Sequence, residues 1–244
     1  MNLVVDIGNT SVKAAIFHRG KIEVKLSSFT EIKAAIKQQP ITHCIISKTG
    51  SANPVEEFLE EQKFKKFSFG YELKLPISNC YETPQTVGTD RLALMSAAQK
   101  FYPKKNVLVI DTGTCITYNF LNAYAQFLGG AIAPGIEMRF KSLHHFTANL
   151  PQLSAQSVLK NYTAANDILL IGNSTEKSIA SGVVNGVKAE VNGIVQQYKK
   201  EHKKLVVVVT GSGSNLFEKL IEPPTENLPD FQLEGLNYIV EFNG

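Results

Sequence analysis

Leu3-Val4-Val5-Asp6-Ile7-Gly8-Asn9-Thr10 returns, one residue shorter, as Leu108-Val109-Ile110-Asp111-Thr112-Gly113-Thr114. Each copy is a run of apolar residues that ends in Asp, then a Gly-containing turn. Each is followed by an alternating segment, Val12, Ala14 and Ile16 in the first and Ile116, Tyr118 and Phe120 in the second. Apolar run, tight turn and alternation read as strand, turn and strand. The offset of about 105 residues is too long for a solenoid repeat and fits a duplicated domain. Pro103-Lys104-Lys105-Asn106 breaks the chain between the copies, which predicts an N-terminal domain over 1–105 and a C-terminal domain over 106–244.

Outward from these anchors, helices alternate with strands. Strands are expected at 21–26 and 41–47. Thr30 is expected to cap a helix with Ile32, Ala35 and Ile36 inward, and Pro54 to open another with Phe58 and Leu59 inward. After a loop over 76–89, Thr89-Asp90 opens a helix carrying Leu92, Met95 and Ala98. In the second half, Pro134-Gly135 opens a helix with Ile136, Phe140 and Leu143. A long helix over 174–200 follows through Ile179, Val183, Val187, Val191, Ile194 and Tyr198. Gly182, Gly186 and Gly193 interrupt it, each at a cost of about 1 kcal/mol against Ala, which predicts close approach by a neighbouring helix or subunit. Leu205–Val209 is an apolar strand, and a short helix follows at 216–220. The alternation gives an α/β fold, and the repeat gives two duplicated domains.

Composition narrows the function. A hydrophobic share of 43% with 19% charged residues is that of a globular chain. The net charge of +3 comes from scattered lysines, without the dense basic stripe that nucleic acid requires. No apolar run approaches membrane-spanning length, and the N-terminus lacks a secretory pattern, so a cytoplasmic protein is expected. Cys44, Cys80 and Cys115 have no metal-site spacing and are expected as small buried apolar residues, reduced in the cell. His144-His145 cannot converge on one metal from adjacent helical positions.

The chemistry concentrates in the turns. Phosphate binding needs backbone N–H groups converging on an anion, and Gly8 allows such a turn. Thr10 and Ser11 add hydroxyl donors, Lys13 adds a compact positive charge, and Asp6 is a candidate to hold Mg²⁺ through water. Asp111-Thr112-Gly113-Thr114 supplies a second such turn, and the two are expected to clasp a triphosphate. Phosphoryl transfer demands chiefly positioning and charge neutralisation, which this arrangement offers. Thr210-Gly211-Ser212-Gly213 is a third Gly-rich strand end, suited to approach the nucleoside. In Gly88-Thr89-Asp90-Arg91, Asp90 can take a proton from an attacking alcohol and Arg91 can bind a carboxylate. The same Thr89 or Asp90 also suits a helix cap.

Together these blocks resemble the type III pantothenate kinases, members of the acetate and sugar kinase/Hsc70/actin superfamily. The resemblance rests on Asp6-Ile7-Gly8-Asn9-Thr10 with Lys13, Tyr81 and Pro84 ahead of Gly88-Thr89-Asp90-Arg91, and Asp111-Thr112-Gly113-Thr114. It continues through residues 129–135, Gly172-Asn173-Ser174-Thr175 and Thr210-Gly211. It implies two actin-like (ribonuclease H-like) domains with mixed central sheets, flanking helices and a nucleotide cleft between them, and phosphorylation of pantothenate by ATP, the first step towards coenzyme A. Carried over by motif, Asp6, Ile7, Gly8, Asn9, Thr10, Ser11, Val12, Lys13 and Thr114 contact ATP. Asp90 is implied as general base and Asp111 as ligand of K⁺ or NH₄⁺. Tyr81, Gly88, Thr89, Asp90, Arg91 and Thr175 are implied as pantothenate contacts, and the assembly as a homodimer. The family often has Ala at the place of Thr89. Its adenosine-side turn commonly reads Thr-Gly-Gly-Asp-Ala, where this chain has Thr210-Gly211-Ser212-Gly213-Ser214. The alternatives are a regulatory protein built on an actin-like nucleotide switch, or a kinase of the same superfamily for another small acceptor.

Overall fold

The computed structural model describes residues 1–8, 11–49, 54–69, 73–160, 168–222 and 225–244. The first sheet contains β1 (Asn2–Ile7), β2 (Val12–His18), β3 (Lys21–Leu26), β4 (His43–Lys48) and β5 (Lys65–Phe67), in the order β3-β2-β1-β4-β5. Strand β1 runs antiparallel to β2, with Asp6 opposite Lys13, and parallel to β4, with Asp6 opposite Ser47. Side chains alternate between the two faces of a strand, and β1 shows this directly. Leu3, Val5 and Ile7 pack with Ile32, Ala35, Val55 and Leu59, which come from α1 (Phe29–Gln38) and α2 (Pro54–Glu60). Val4 faces the other way, with Ile45, Ala93, Leu233, Leu236 and Ile239, the last four from α3 (Thr89–Phe101) and the C-terminal α8 (Phe231–Asn243). Asp6 shares the parity of Val4, and Ser47 that of Ile45. Both therefore belong to the face covered by α3 and α8.

The cap of α1 differs from expectation. Ser28, not Thr30, is the N-cap, with its hydroxyl accepting from the Glu31 N–H at 3.2 Å. The Glu31 carboxylate accepts from the Ser27 N–H at 2.7 Å. Ser-x-x-Glu at 28–31 is a capping box, and its two-way hydrogen bonding starts the helix one turn-position earlier than Thr30 alone would.

The second sheet contains β6 (Ser78–Asn79), β7 (Val107–Thr112), β8 (Cys115–Leu121), β9 (Gln126–Pro134), β10 (Val206–Thr210) and β11 (Glu226–Asn227), in the order β11-β10-β7-β8-β9-β6. Read from β9, the order β9-β8-β7-β10-β11 repeats β3-β2-β1-β4-β5, with β6 added at the edge. The helices α4 (Ile136–His145), α5 (Ala155–Lys160) and α6 (Thr175–Glu201) lie between β9 and β10, in the slot of α1. The helix α7 (Ser214–Leu220) takes the slot of α2. The expected duplication is thus a duplication of topology as well as of motif.

Ile110, Ile116 and Tyr118 pack with Phe140, Val183, Val187, Val191 and Phe217 in this core. The predicted stripe of α6 is therefore its buried face. Its glycines are another matter. A Cβ added at Gly182, Gly186 or Gly193 would meet nothing within 4 Å, so no described helix of this chain approaches there. Of the cysteines, Cys44 is buried as expected, whereas Cys80 is exposed beyond the short edge strand β6 and Cys115 is half-buried.

The chain groups into two compact units, Met1–Val107 with Asn119–Gly129 and Asp230–Gly244, and Leu108–Tyr118 with Gly130–Pro229. The first of these breaks falls beside the expected boundary at 105/106, and α8 joins the first unit. Helices α3 and α8 cross closely because position 235 is glycine. A Cβ there would lie 1.8 Å from the Ala93 carbonyl oxygen, and Lys100 and Glu234 pair at 3.0 Å beside the crossing. Gly235→Ala should therefore force α8 away and lower the unfolding free energy by about 1–3 kcal/mol or more, measured by urea denaturation.

Candidate functional site

Asp6 ends β1 on the face covered by α3 and α8. Burial, and after it the negative charge of Asp90, raise its carboxyl from the usual 3.8 to about 6. The Ser47 hydroxyl, the Gln232 amide and the Lys13 ammonium pull it back. Among the described residues Asp6 Oδ1 is nevertheless buried without a hydrogen-bond partner, and so is Gln232 Nε2. An orphaned acceptor and an orphaned donor at one corner suit a water or a hydrated cation.

Ser47 and Thr89 connect this corner to the start of α3. Their hydroxyls lie 3.0 Å apart, and the Lys48 N–H donates to Thr89 Oγ1 at 3.2 Å. An N–H can only donate and a carboxylate can only accept. Donation therefore runs from Lys48 N–H to Thr89, from Thr89 to Ser47, and from Ser47 to Asp6. Thr89, expected at the acceptor, spends its hydroxyl on anchoring the helix to β4.

Asp90 follows in the first turn of α3. Burial raises its pKa, opposed by the Arg91 backbone N–H and then by the Arg91 guanidinium. Its Oδ1 accepts from the Arg91 N–H at 2.8 Å. A Cβ on Gly88 would fall 2.3 Å from that same oxygen, so glycine is required for the carboxylate to fold back over the helix start. Gly88 is the N-cap, and neither Thr89 nor Asp90 fills that role.

Arg91 is buried. Its Nε donates to Asn119 Oδ1 at 2.6 Å and its Nη1 to the Tyr81 hydroxyl at 3.4 Å. The rings of Tyr81 and Phe127 stack at 6.0 Å between centroids. The Arg91 guanidinium carbon lies 5.4 and 5.3 Å from them, within cation–π range. Nη2 is buried and has no hydrogen-bond partner among the described residues.

Of the first phosphate turn, Gly8 donates its N–H to the Ser11 carbonyl at 3.1 Å. Ser11 is exposed, while Val12 and Lys13 are half-buried at the start of β2 and Ile7 is in the core. Asn9 and Thr10 lie outside the described residues.

In the second unit, Asp111 sits near the end of β7 under the loop that leaves β10. Gly211 has φ +93, and a Cβ there would fall 2.2 Å from Asp111 Oδ1. Both the left-handed backbone and the close carboxylate demand glycine. Thr112 Oγ1 donates to the Thr210 carbonyl, and the Gly213 N–H donates to the Thr112 carbonyl, both at 2.8 Å. The Gly135 N–H donates to the Thr114 carbonyl at 3.1 Å. Two Gly-containing loops, at Gly135 and at Gly211–Gly213, thus meet the turn Asp111–Thr114, with Thr114 exposed. Thr175 opens α6 on the rim of an open cavity of about 810 Å³ between α4 and α6, which Arg139 and Asn173 also line.

Among known families, the type III pantothenate kinase model matches residues 2–197. The chain belongs to the type III pantothenate kinase family. A type III pantothenate kinase from Christiangramia forsetii is 40% identical over 249 residues, covering 100% of this chain and 99% of that protein. Solved structures similar to this member of the family agree on the fold. A Campylobacter jejuni protein described as a Baf family transcriptional activator superposes with a TM-score of 0.59 at 18% identity, covering 99% of this chain and 98% of that one. A candidate N-acetylmannosamine kinase from Listeria monocytogenes does so with a TM-score of 0.56 at 13% identity, covering 100% and 99%. The expected actin-like α/β fold is the fold observed.

Four residues at these sites escaped the sequence reading of this pantothenate kinase family member. Ser47 and Asn119 carried a signal, each being a polar residue inside an apolar strand. Phe127 and Gln232 carried none, because their positions depend on which distant segments pack together.

Two measurements follow from the buried carboxylates. Gly88→Ala should displace Asp90 Oδ1 and reduce turnover by about tenfold or more, since small misplacements at a reacting centre are costly; steady-state kinetics at unchanged circular dichroism test it. Asp6, with its pKa raised in the native state, favours folding below about pH 3.8 relative to higher pH, and that advantage is lost as pH rises through about 6. At pH 7.5, without nucleotide or metal, Asp6→Asn should be more stable than the parent by about 2–3 kcal/mol. The difference should shrink as pH approaches 4 in a urea-denaturation series.

Proposed function

We propose that this chain transfers the terminal phosphoryl group of ATP to the primary hydroxyl of pantothenate, yielding 4'-phosphopantothenate and ADP. The observation that carries this reading is the adjacency of Asp90 and Arg91. A half-buried carboxylate whose pKa is raised by desolvation is a fitted proton acceptor for an alcohol. Beside it, a buried guanidinium has an unmet donor for an anion. Pantothenate bears both a primary alcohol and a carboxylate. The alcohol gives its proton to Asp90 as its oxygen attacks the terminal phosphorus, and the bond to the ADP oxygen breaks.

Residues 6–13 and Thr114 grip the ATP phosphates in this reading, with Lys13, opposite Asp6, neutralising part of their charge. Mg²⁺ bound to the phosphates would meet Asp6 through water, for which the unpartnered Oδ1 is suited. Among the described residues no cluster of His, Cys, Asp and Glu forms a dedicated metal cage, in keeping with a cation held mainly by substrate. Asp111 is the proposed ligand of K⁺ or NH₄⁺. Tyr81, Gly88 to Arg91 and Thr175 bound the pantothenate site, with Thr89 acting through its anchor to β4. The open glycine face of α6 suits a second subunit in a homodimer. A cytoplasmic setting accords with the absence, among the described residues, of any helix long and apolar enough to cross a membrane. A nucleotide switch without an acceptor would leave the Asp90–Arg91 pair without a role.

The test is ATP-dependent phosphate transfer to pantothenate by the purified chain, in K⁺ and then in Na⁺. Turnover should require pantothenate and rise with K⁺. Asp90→Asn should lower kcat by about 10²–10⁴-fold with the fold intact; undiminished turnover would remove Asp90 as the base. Asp111→Ala should abolish the preference for K⁺ over Na⁺.

A further inference from the structure

Arg91 is a buried cation whose hydrogen-bond partners are neutral. Only 5% of the residue reaches solvent. Its side-chain bonds go to an amide oxygen and a phenol, and aromatic rings occupy its flanks. Among the described residues no carboxylate lies within ion-pairing distance of its guanidinium. The neighbouring Asp90 accepts the Arg91 backbone N–H instead. The Asp90 carboxylate feels the charge of Arg91 without forming an ion pair with it, whereas proteins normally pair a buried charge directly.

Position 119 is where such a counter-charge would most readily sit. Asn119 is wholly buried, and its Oδ1 receives the Nε hydrogen at 2.6 Å. Aspartate has the same shape and would accept the same hydrogen bond, while cancelling the charge. Asparagine holds the guanidinium in one orientation and leaves its charge intact. Of the five N–H donors of an Arg side chain, the two on Nη2 remain unused. The stacked rings of Tyr81 and Phe127 fix the position of the fork that carries them.

We propose that Asn119 is a specificity-determining positioning residue, which keeps Arg91 oriented but uncompensated so that the site selects an acceptor bearing a carboxylate over its uncharged analogue. The proposal rests on the pantothenate kinase reading and adds the device by which acid and neutral acceptors are told apart. A site built around an unsatisfied polar group rejects ligands that leave it unpaired, far more strongly than an apolar pocket rejects a change of shape.

Steady-state kinetics of the full chain with pantothenate and with pantothenol, in which CH₂OH replaces the carboxylate, test this. The wild type should favour pantothenate in kcat/KM by about a hundredfold or more. Asn119→Asp should reduce that ratio by about tenfold or more, through a raised KM for pantothenate, with the KM for ATP unchanged. A folded Asn119→Asp that keeps the ratio, or loses activity equally with both acceptors, would overturn the proposal. Should Asn119→Asp fail to fold, the wild-type ratio still decides, since equal kcat/KM for the two acceptors would overturn it. Transfer to neither acceptor by the wild type would overturn the functional reading, and the proposal with it.

Discussion

The negative charge of Asp90 adds to what burial already costs the ionised Asp6 in the corner between β1 and the start of α3. Burial alone pushes both carboxyls towards the neutral form, and the charge of Asp90 pushes Asp6 further. Two buried anions this close are tolerated only where hydrogen bonds and a cation oppose the repulsion. Ser47, Gln232 and Lys13 do so at Asp6, and the Arg91 backbone and side chain do so at Asp90. Much of the first unit serves this arrangement. Strand parity turns Asp6 inward, β4 supplies Ser47 at the same level, and α8 closes over the corner with Gln232.

The same corner explains why small residues matter where they do. Gly88 leaves room for the Asp90 carboxylate to bend back, and Gly235 lets α8 approach α3 closely enough to cover β1. In the second unit Gly211 does comparable service over Asp111, where a side chain would collide with the carboxylate itself. A strand with Asp as its next-to-last residue, followed by a Gly-containing turn, is shared by both units. In the first unit a second carboxylate, that of Asp90, acts on the strand-end Asp6.

That asymmetry bears on how a duplicated fold acquires one chemistry. Topology is repeated strand for strand, so the repeat supplies two similar turns suited to phosphate oxygens. The adjacent Asp90 and Arg91 come from a segment outside the repeated strands, the first turn of α3. Arg91 there meets Asn119 and Phe127 from β8 and β9. Helix α3 thus joins two tasks, anchoring to β4 through Thr89 and presenting Asp90 and Arg91 in successive positions.

The duplicated strand-Asp-Gly motif, the alternation of helices with strands and the placing of reactive residues in turns were all legible in the chain itself. Each depends on interactions between residues near one another in sequence: strand periodicity, turn formation and the stripe of α6. The capping of α1 was legible too, in Ser28 and Glu31, though Thr30 competed for the role. The charge state of Asp6, the neutral surroundings of Arg91 and the closure by α8 were not legible. Those follow from packing segments up to some 230 residues apart, which sets how much solvent each charged group keeps and which partners stand beside it. Local sequence selects which groups are available for chemistry; desolvation and long-range contact decide how strongly each holds its proton or its charge.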